Sequence, residues 1–252
     1  MSGNHELQGY TALVTGGVRN IGRAIALDLA AGGADIVVTA MSDLASAQSV
    51  VAEVERLGGQ GLAVLCDVTK PDDVARLHDA VARRFGRLDA LVNNAAVRHE
   101  ASFAEMTYEQ WRHIVGVTLD GAFLTAHALL PLLSASGRGS IVNIGGMSAY
   151  TGAKNRVHVL AAKSGLAGLT RGLAYDLADQ AITVNLVSPG LIDTVRGGHS
   201  EASPDHHRRN ATLVGRRGRP EEVASMVRHL AGPMARYVTG QTIHVNGGAW
   251  LP

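Results

Sequence analysis

The stretch from Thr11 to Ala26, TALVTGGVRNIGRAIA, constrains the fold more than any other part of the chain. Thr11 to Thr15 is apolar and β-branched, as a buried parallel strand is, and Ile21 to Ala30 places apolar residues at helical spacing. Between them lies Gly16-Gly17-Val18-Arg19-Asn20-Ile21-Gly22. A strand, a glycine-rich turn and a helix in that order aim main-chain N–H groups and the positive helix end at one point, which suits an anionic phosphate. The plain alternative is a turn that needs glycine for packing alone.

Beyond this opening unit, apolar runs alternate with helix-period segments. Asp35 to Ala40, Leu62 to Cys66, Ala90 to Asn93, Ser140 to Ile144, Thr183 to Val187 and Thr242 to Val245 read as further strands, with helices between them. Such alternation predicts a doubly wound α/β Rossmann fold, a seven-stranded parallel sheet with right-handed crossovers and helices on both faces. Ligands of such sheets sit outside the carboxyl ends of the strands. The 252 residues contain no Pro-, Ser- or charge-rich linker, so 1–252 reads as a single domain.

Composition narrows the classes of partner. A formal net charge of +1 offers little attraction for nucleic acid or an acidic membrane. The polar start from Met1 to Gln8 has no apolar signal core, and no apolar run reads as long enough to cross a bilayer, so a cytoplasmic location is expected. Cys66 is the only cysteine, and its apolar neighbours suggest a buried, inert thiol.

Four motifs together resemble the short-chain dehydrogenase/reductase family, in particular its 3-oxoacyl-ACP reductase-like members, across nearly the whole chain. Thr15 to Gly22 resembles the family's T-G-x-x-x-G-x-G, with Asn20 in place of the middle glycine, and Asn tolerates the left-handed backbone such a turn requires. Asn93-Asn94-Ala95-Ala96 resembles Asn-Asn-Ala-Gly. Val187 to Thr194 resembles the family's Pro-Gly segment, and Gly215 to Gly248 its closing helix and strand. The resemblance implies a nicotinamide dinucleotide held by Gly16, Arg19, Asn20, Ile21, Gly22, Met41, Asp67, Val68, Asn94, Ala95, Ala96, Lys163, Pro189, Gly190, Ile192 and Thr194. It also implies a homotetramer or homodimer, because the closing helix and strand are often an oligomer surface in the family.

NADP is the expected cofactor, with NAD possible. An acidic residue at the end of the second strand would bond the ribose hydroxyls of NAD, yet this strand ends Thr39-Ala40-Met41-Ser42, with no carboxylate until Asp43. Arg19 stands where NADP users of the family often carry a basic residue, and a guanidinium pairs well with phosphate oxygens.

The catalytic positions depart from the family. Its reduction uses a Tyr acid, a Lys one helical turn later, a Ser before the Tyr and an Asn on the preceding long helix. An unperturbed Tyr titrates near ~10, and the Lys ammonium stabilises its phenolate. Here Lys163 matches, but Val159, Gly146 and Thr118 occupy the Tyr, Ser and Asn positions. Lys163 alone still suits the nicotinamide ribose. Tyr150 and Ser148, just beyond the fifth strand, and His158, beside Val159, are the candidate replacement hydroxyl or imidazole groups. A literal Tyr-x-x-x-Lys, Tyr150 to Lys154, falls outside the helix, and Gly152 weakens any helical register for that pair. Adjacent helix positions differ by about 100°, which turns His158 away from the Lys163 face and makes a packed histidine the alternative.

Arg156 is a candidate contact for an anionic substrate, and His99 for the substrate pocket. Residues from about 194 to 217 read as a substrate lid carrying His199, His206, His207, Arg208 and Arg209. No Cys or carboxylate completes a metal ligand set at familiar spacing there, so no metal is expected. Two functional readings stand. One is an NADP-dependent oxidoreductase acting on a small-molecule carbonyl or alcohol with a non-standard proton donor. The other is a redox-inactive protein that keeps the nucleotide site as a sensor, partner subunit or non-redox enzyme.

Overall fold

The computed structural model describes residues 5–195 and 212–252. A seven-stranded parallel sheet in the order β3-β2-β1-β4-β5-β6-β7 forms the centre, as the alternation predicts. Its strands are β1 (Thr11–Val14), β2 (Asp35–Ala40), β3 (Gly61–Leu65), β4 (Ala90–Asn93), β5 (Ser140–Ile144), β6 (Thr183–Pro189) and β7 (Thr242–Val245). The helices are α1 (Asn20–Ala31), α2 (Leu44–Arg56), α3 (Pro71–Phe85), α4 (Tyr108–Val115), α5 (Gly121–Ala135), α6 (Ser148–Thr151), α7 (Val157–Asp176) and α8 (Pro220–Ala231).

Every residue of β1, β4, β5 and β6 is buried, which explains why these segments read as unbroken apolar runs: helices cover both faces. One layer packs Ile21, Ile25 and Leu29 of α1 and Val223, Val227 and Leu230 of α8 on the sheet; the other packs Leu77 and Val81 of α3 with Leu129 and Leu133 of α5. Two strand ends differ from expectation. β3 begins and ends one residue earlier, because Ala40 pairs with Leu65 rather than Cys66. β6 runs on to Pro189, carried by the pairings Ser188 with His244 and Pro189 with Val245.

The expectation that no stretch reaches membrane-spanning length needs correction. A π-helical turn, Gly116–Asp120, joins α4 to α5, so Tyr108–Ala135 is one helical run of 28 residues, apolar enough by composition to cross a bilayer. Polar residues such as Arg112 and Asp120 interrupt the run in sequence and hide its length. Half of its most apolar window is buried in this fold, where Thr125, Ala126, Leu129, Leu132 and Leu133 form core.

Buried polar groups tie the layers together. Asn93 Nδ2 donates to Asn143 Oδ1 (2.9 Å), Asn143 Nδ2 donates to the Thr170 hydroxyl (2.9 Å), and the Thr125 hydroxyl donates to Asn93 Oδ1 (2.8 Å). This chain of bonds crosses from α5 through β4 and β5 to α7, so it fixes α7 against the crest where the candidate residues lie.

Candidate active site

The turn after β1 is shaped by what surrounds it. Gly16 has φ +61° and Asn20 φ +49°, so the left-handed conformation expected of Asn20 is present. The Thr15 hydroxyl accepts from the backbone N–H of both Asn94 and Ala95 (3.0 Å each), and Asn94 Nδ2 donates to the Thr15 and Gly16 carbonyls (3.0 Å each). Gly16 N–H donates to the Thr39 hydroxyl (3.2 Å). The ends of β1, β2 and β4 are thereby laced into one ledge. A Cβ on Gly22 would lie 2.5 Å from Asn94 Nδ2 and 2.6 Å from the Gly16 carbonyl oxygen, so glycine is required for α1 to approach β4 this closely. Ile21 is buried beneath the turn, and Arg19 is exposed on it.

Beyond β2, Met41, Ser42 and Asp43 are exposed. Asp43 caps α2: its carboxylate accepts from Ser46 N–H (2.9 Å) and from the Ser46 hydroxyl (2.5 Å). The carboxylate nearest the end of β2 is thus already engaged. After β3, Asp67 accepts from Thr69 N–H (3.1 Å) and the Thr69 hydroxyl (2.7 Å), and Val68 is buried beside it. Burial, with Asp73 and Asp67 close by, pushes the Cys66 thiol up to about 11, consistent with an inert thiol. On the far side of the crest, Pro189 and Gly190 leave β6. Gly190 N–H donates to the Val245 carbonyl (2.9 Å), and a Cβ there would meet Asn246 Cα at 2.7 Å. Ile192 bridges to Gly218, and Thr194 follows, partly buried.

Lys163 and Val159 stand one turn apart on α7. Lys163 Nζ donates to the Ile144 carbonyl at the end of β5 (2.5 Å), and burial, with the Arg98 and Arg156 guanidinium groups adding, lowers its pKa to about 7. Val159 is buried among Ile114, Val115 and Ala162. Gly146 follows β5, and among the described residues a Cβ there would meet no atom within 4 Å beyond its chain neighbours. Thr118 is buried in the π turn.

The family follows from comparison of the whole chain. A family model described as Enoyl-(Acyl carrier protein) reductase matches residues 16–249. The 3-oxoacyl-(acyl-carrier-protein) reductase of Synechocystis is 38% identical over 243 residues, covering 96% of this chain and 97% of that protein. The enzyme of that name from Escherichia coli is 36% identical, covering 97% and 98%. A short chain dehydrogenase from Burkholderia cenocepacia, solved in complex with NADP, superposes with a TM-score of 0.89 at 36% identity, covering 97% of this chain and 99% of that one. This chain belongs to the short-chain dehydrogenase/reductase family.

In this dehydrogenase/reductase the candidate residues divide into two groups. Gly16, Asn20, Ile21, Gly22, Asn94 and Ala95 meet in the ledge after β1, while Ala96 is exposed just beyond it. The candidate proton donors do not converge. Tyr150 sits on the short helix α6, just beyond β5 and before α7; its hydroxyl donates to Thr242 (3.4 Å), and its ring stacks on Trp250 and meets His244 edge-on. α6 ends before Gly152 (φ +75°), which separates Tyr150 from Lys154 as the glycine implied. Ser148 opens α6 and is partly buried.

His158 is fully buried, with no hydrogen-bond partner on either ring nitrogen among the described residues, and its ring centroid is 6.5 Å from that of exposed His99. Burial lowers its pKa, with His99 adding to the shift. Arg156 is nearly buried at the head of α7, with its Nε 3.8 Å from a Glu100 carboxylate oxygen. His199, His206, His207, Arg208 and Arg209 lie outside the described residues. Sequence reasoning missed Thr39 and Arg98. A hydroxyl residue ending a strand beside a glycine turn signals the first, and a cation two residues past the Asn-Asn-Ala-Ala segment signals the second.

Proposed function

We propose that this protein is an NADP(H)-binding oxidoreductase that interconverts a carbonyl and an alcohol on a small molecule. The observation that carries the reading is the ledge formed by Gly16, Gly22 and Asn94, where any Cβ on Gly22 would collide. That packing holds a turn that is left-handed at Gly16 and Asn20 and so aims main-chain N–H groups and the positive end of α1 at one point, as a pyrophosphate needs. The reductases named above, and the relative solved with NADP, support the same assignment. When bound, the dinucleotide supplies the hydride. Preference for the 2′-phosphate form rests on exposed Arg19 and on Asp43, whose carboxylate is spent on capping α2.

The chain's own part in the chemistry is to orient and to handle a proton. Lys163 holds the nicotinamide ribose, and its ammonium, titrating at about 7, exchanges a proton with water at the crest. Val159 and Gly146, at the family's Tyr and Ser positions, have no hydroxyl to offer. Loss of a positioned acid typically slows such a reaction by about 10²- to 10⁴-fold. The protein acts in the cytoplasm as a homotetramer or homodimer; exposed Met234 and Tyr237, close to β7, support an oligomer surface there.

The second reading, a nucleotide-binding protein without redox turnover, is favoured by two specific placements: Val159 packed into an apolar cluster, and Tyr150 engaged with Trp250. A single experiment separates the two. NADPH and NADH are titrated by fluorescence, and NADPH absorbance is then followed with a panel of ketones that includes 3-oxoacyl thioesters. Tighter binding of NADPH, with turnover abolished in Lys163→Ala, supports the oxidoreductase. Tight binding with no oxidation by any carbonyl supports the second reading, and absence of binding overturns both.

A further inference from the structure

Asn20 occupies a position where a glycine would satisfy the backbone, since φ +49° costs glycine nothing. Its side chain does something that glycine cannot do. Asn20 Nδ2 donates to the Val195 carbonyl (2.9 Å), while Asn20 Oδ1 accepts from the Val195 backbone N–H (3.0 Å). One primary amide therefore pairs with both main-chain groups of one residue, 175 positions away, as a neighbouring strand would. Asn also tolerates a left-handed backbone while carrying a donor and an acceptor on one short arm.

The location of this pair gives it a consequence. Asn20 follows β1, and Val195 follows β6; β4 and β5 lie between those strands. Three inter-strand spacings separate β1 from β6, roughly 14 Å along the crest. The pair thus spans the groove outside the carboxyl ends of the strands, including the β1/β4 point where the strand order reverses and dinucleotides lodge in this kind of sheet. On one side it is anchored by the turn, whose Gly16 and Gly22 are immobilised against Asn94 and Ala95. On the other, Gly218 N–H donates to the Leu191 carbonyl (2.9 Å) and Asp193 N–H to the Gly218 carbonyl (2.7 Å), which hold the start of the Leu191–Val195 segment.

We propose that Asn20 is a positioning residue that straps the chain after β6 across the cofactor groove and so slows exchange of the bound nucleotide. The proposal rests on the cofactor reading above. Opening the strap breaks two exposed hydrogen bonds, which corresponds to about a three- to tenfold change in the rate of release.

The test is Asn20→Gly, which preserves the left-handed turn and removes only the amide. Two measurements are made: hydrogen exchange at the Val195 amide in the nucleotide-free protein, and NADPH dissociation by stopped-flow fluorescence. Faster exchange at Val195 together with about three- to tenfold faster NADPH release is the expected result. Unchanged exchange overturns the strap itself. Faster exchange with unchanged release overturns its role in holding nucleotide. A wild-type protein that binds no nucleotide overturns the cofactor reading and this role with it, and the exchange measurement, which needs no ligand, still reports whether the two residues pair.

Discussion

Val159 and Lys163 share one face of α7, yet the first is packed among Ile114, Val115 and Ala162 while the second reaches up to the Ile144 carbonyl at 2.5 Å. The helix therefore presents a titratable amine at the crest with an aliphatic residue one turn before it.

That ammonium makes stability depend on pH. The folded pKa of Lys163 is about 7, below the ordinary 10.5, so between those values the unfolded chain holds more protons than the folded one. Stability should then rise as pH climbs from about 7 to 10.5, and below pH 7 the burial cost is present in full. Lys163→Met removes the cost, and we expect it to be more stable than the parent by roughly 1–3 kcal/mol at pH 6, the Ile144 hydrogen bond offsetting part of the gain. The difference should shrink above pH 7. Urea denaturation across pH 6 to 10 checks this; His158 and His244 are both lowered from 6.5 by burial, so the stability they add as pH rises is complete above that ordinary value and leaves the range from 7 upward to Lys163.

Adding a hydroxyl pair beside Lys163 tests whether proton supply limits the proposed reaction. A Cβ on Gly146 meets no atom within 4 Å among the described residues, so the backbone there accepts the Cβ of Gly146→Ser. Combined with Val159→Tyr, it should raise carbonyl reduction by about 10²-fold or more, followed by NADPH oxidation at saturating ketone. An unchanged rate would show that proton supply is not what limits this protein.

Filling the ledge should harm binding before it harms folding. Gly22→Ala places a methyl 2.5 Å from Asn94 Nδ2 and 2.6 Å from the backbone oxygen of Gly16, and only the Asn94 side chain is free to shift. The expected loss is at least about tenfold in nucleotide affinity, with about 1–3 kcal/mol of stability. Calorimetric titration and denaturation give the two values separately.

Far from the crest, Asp89 is wholly buried and accepts from Thr11 N–H (2.7 Å) and Arg138 Nε (2.7 Å), with Arg87 Nε at 3.3 Å. Asp89→Ala strands the Thr11 N–H while both arginines can turn to water. It should cost about 2–4 kcal/mol in denaturation without altering the KM for a carbonyl substrate.

The parts of the fold legible in the sequence were those with strong local signatures. Strand burial on two faces wrote itself as unbroken apolar runs, and the turn after β1 declared its left-handed position through Asn20. The long run from Tyr108 to Ala135 escaped because Arg112 and Asp120, an ion pair at 2.9 Å on the exposed side, interrupt its apolarity in sequence but not its helix. Tyr150 was harder still. Its ring is placed by Trp250 and His244, about a hundred residues away in sequence, and no local pattern encodes such a contact. The same holds for Asn20 and Val195.

The stack of Tyr150 on Trp250 bears on how the protein should be handled in the laboratory. Trp250 also accepts from Asn246 Nδ2 through its carbonyl (2.7 Å), so the chain's last turn leans on the short helix that follows β5. A purification tag fused directly after Pro252 would pull on that support two residues from the stacked ring. A tag joined elsewhere than at residues 246–252 spares that support and is the safer choice for kinetic work.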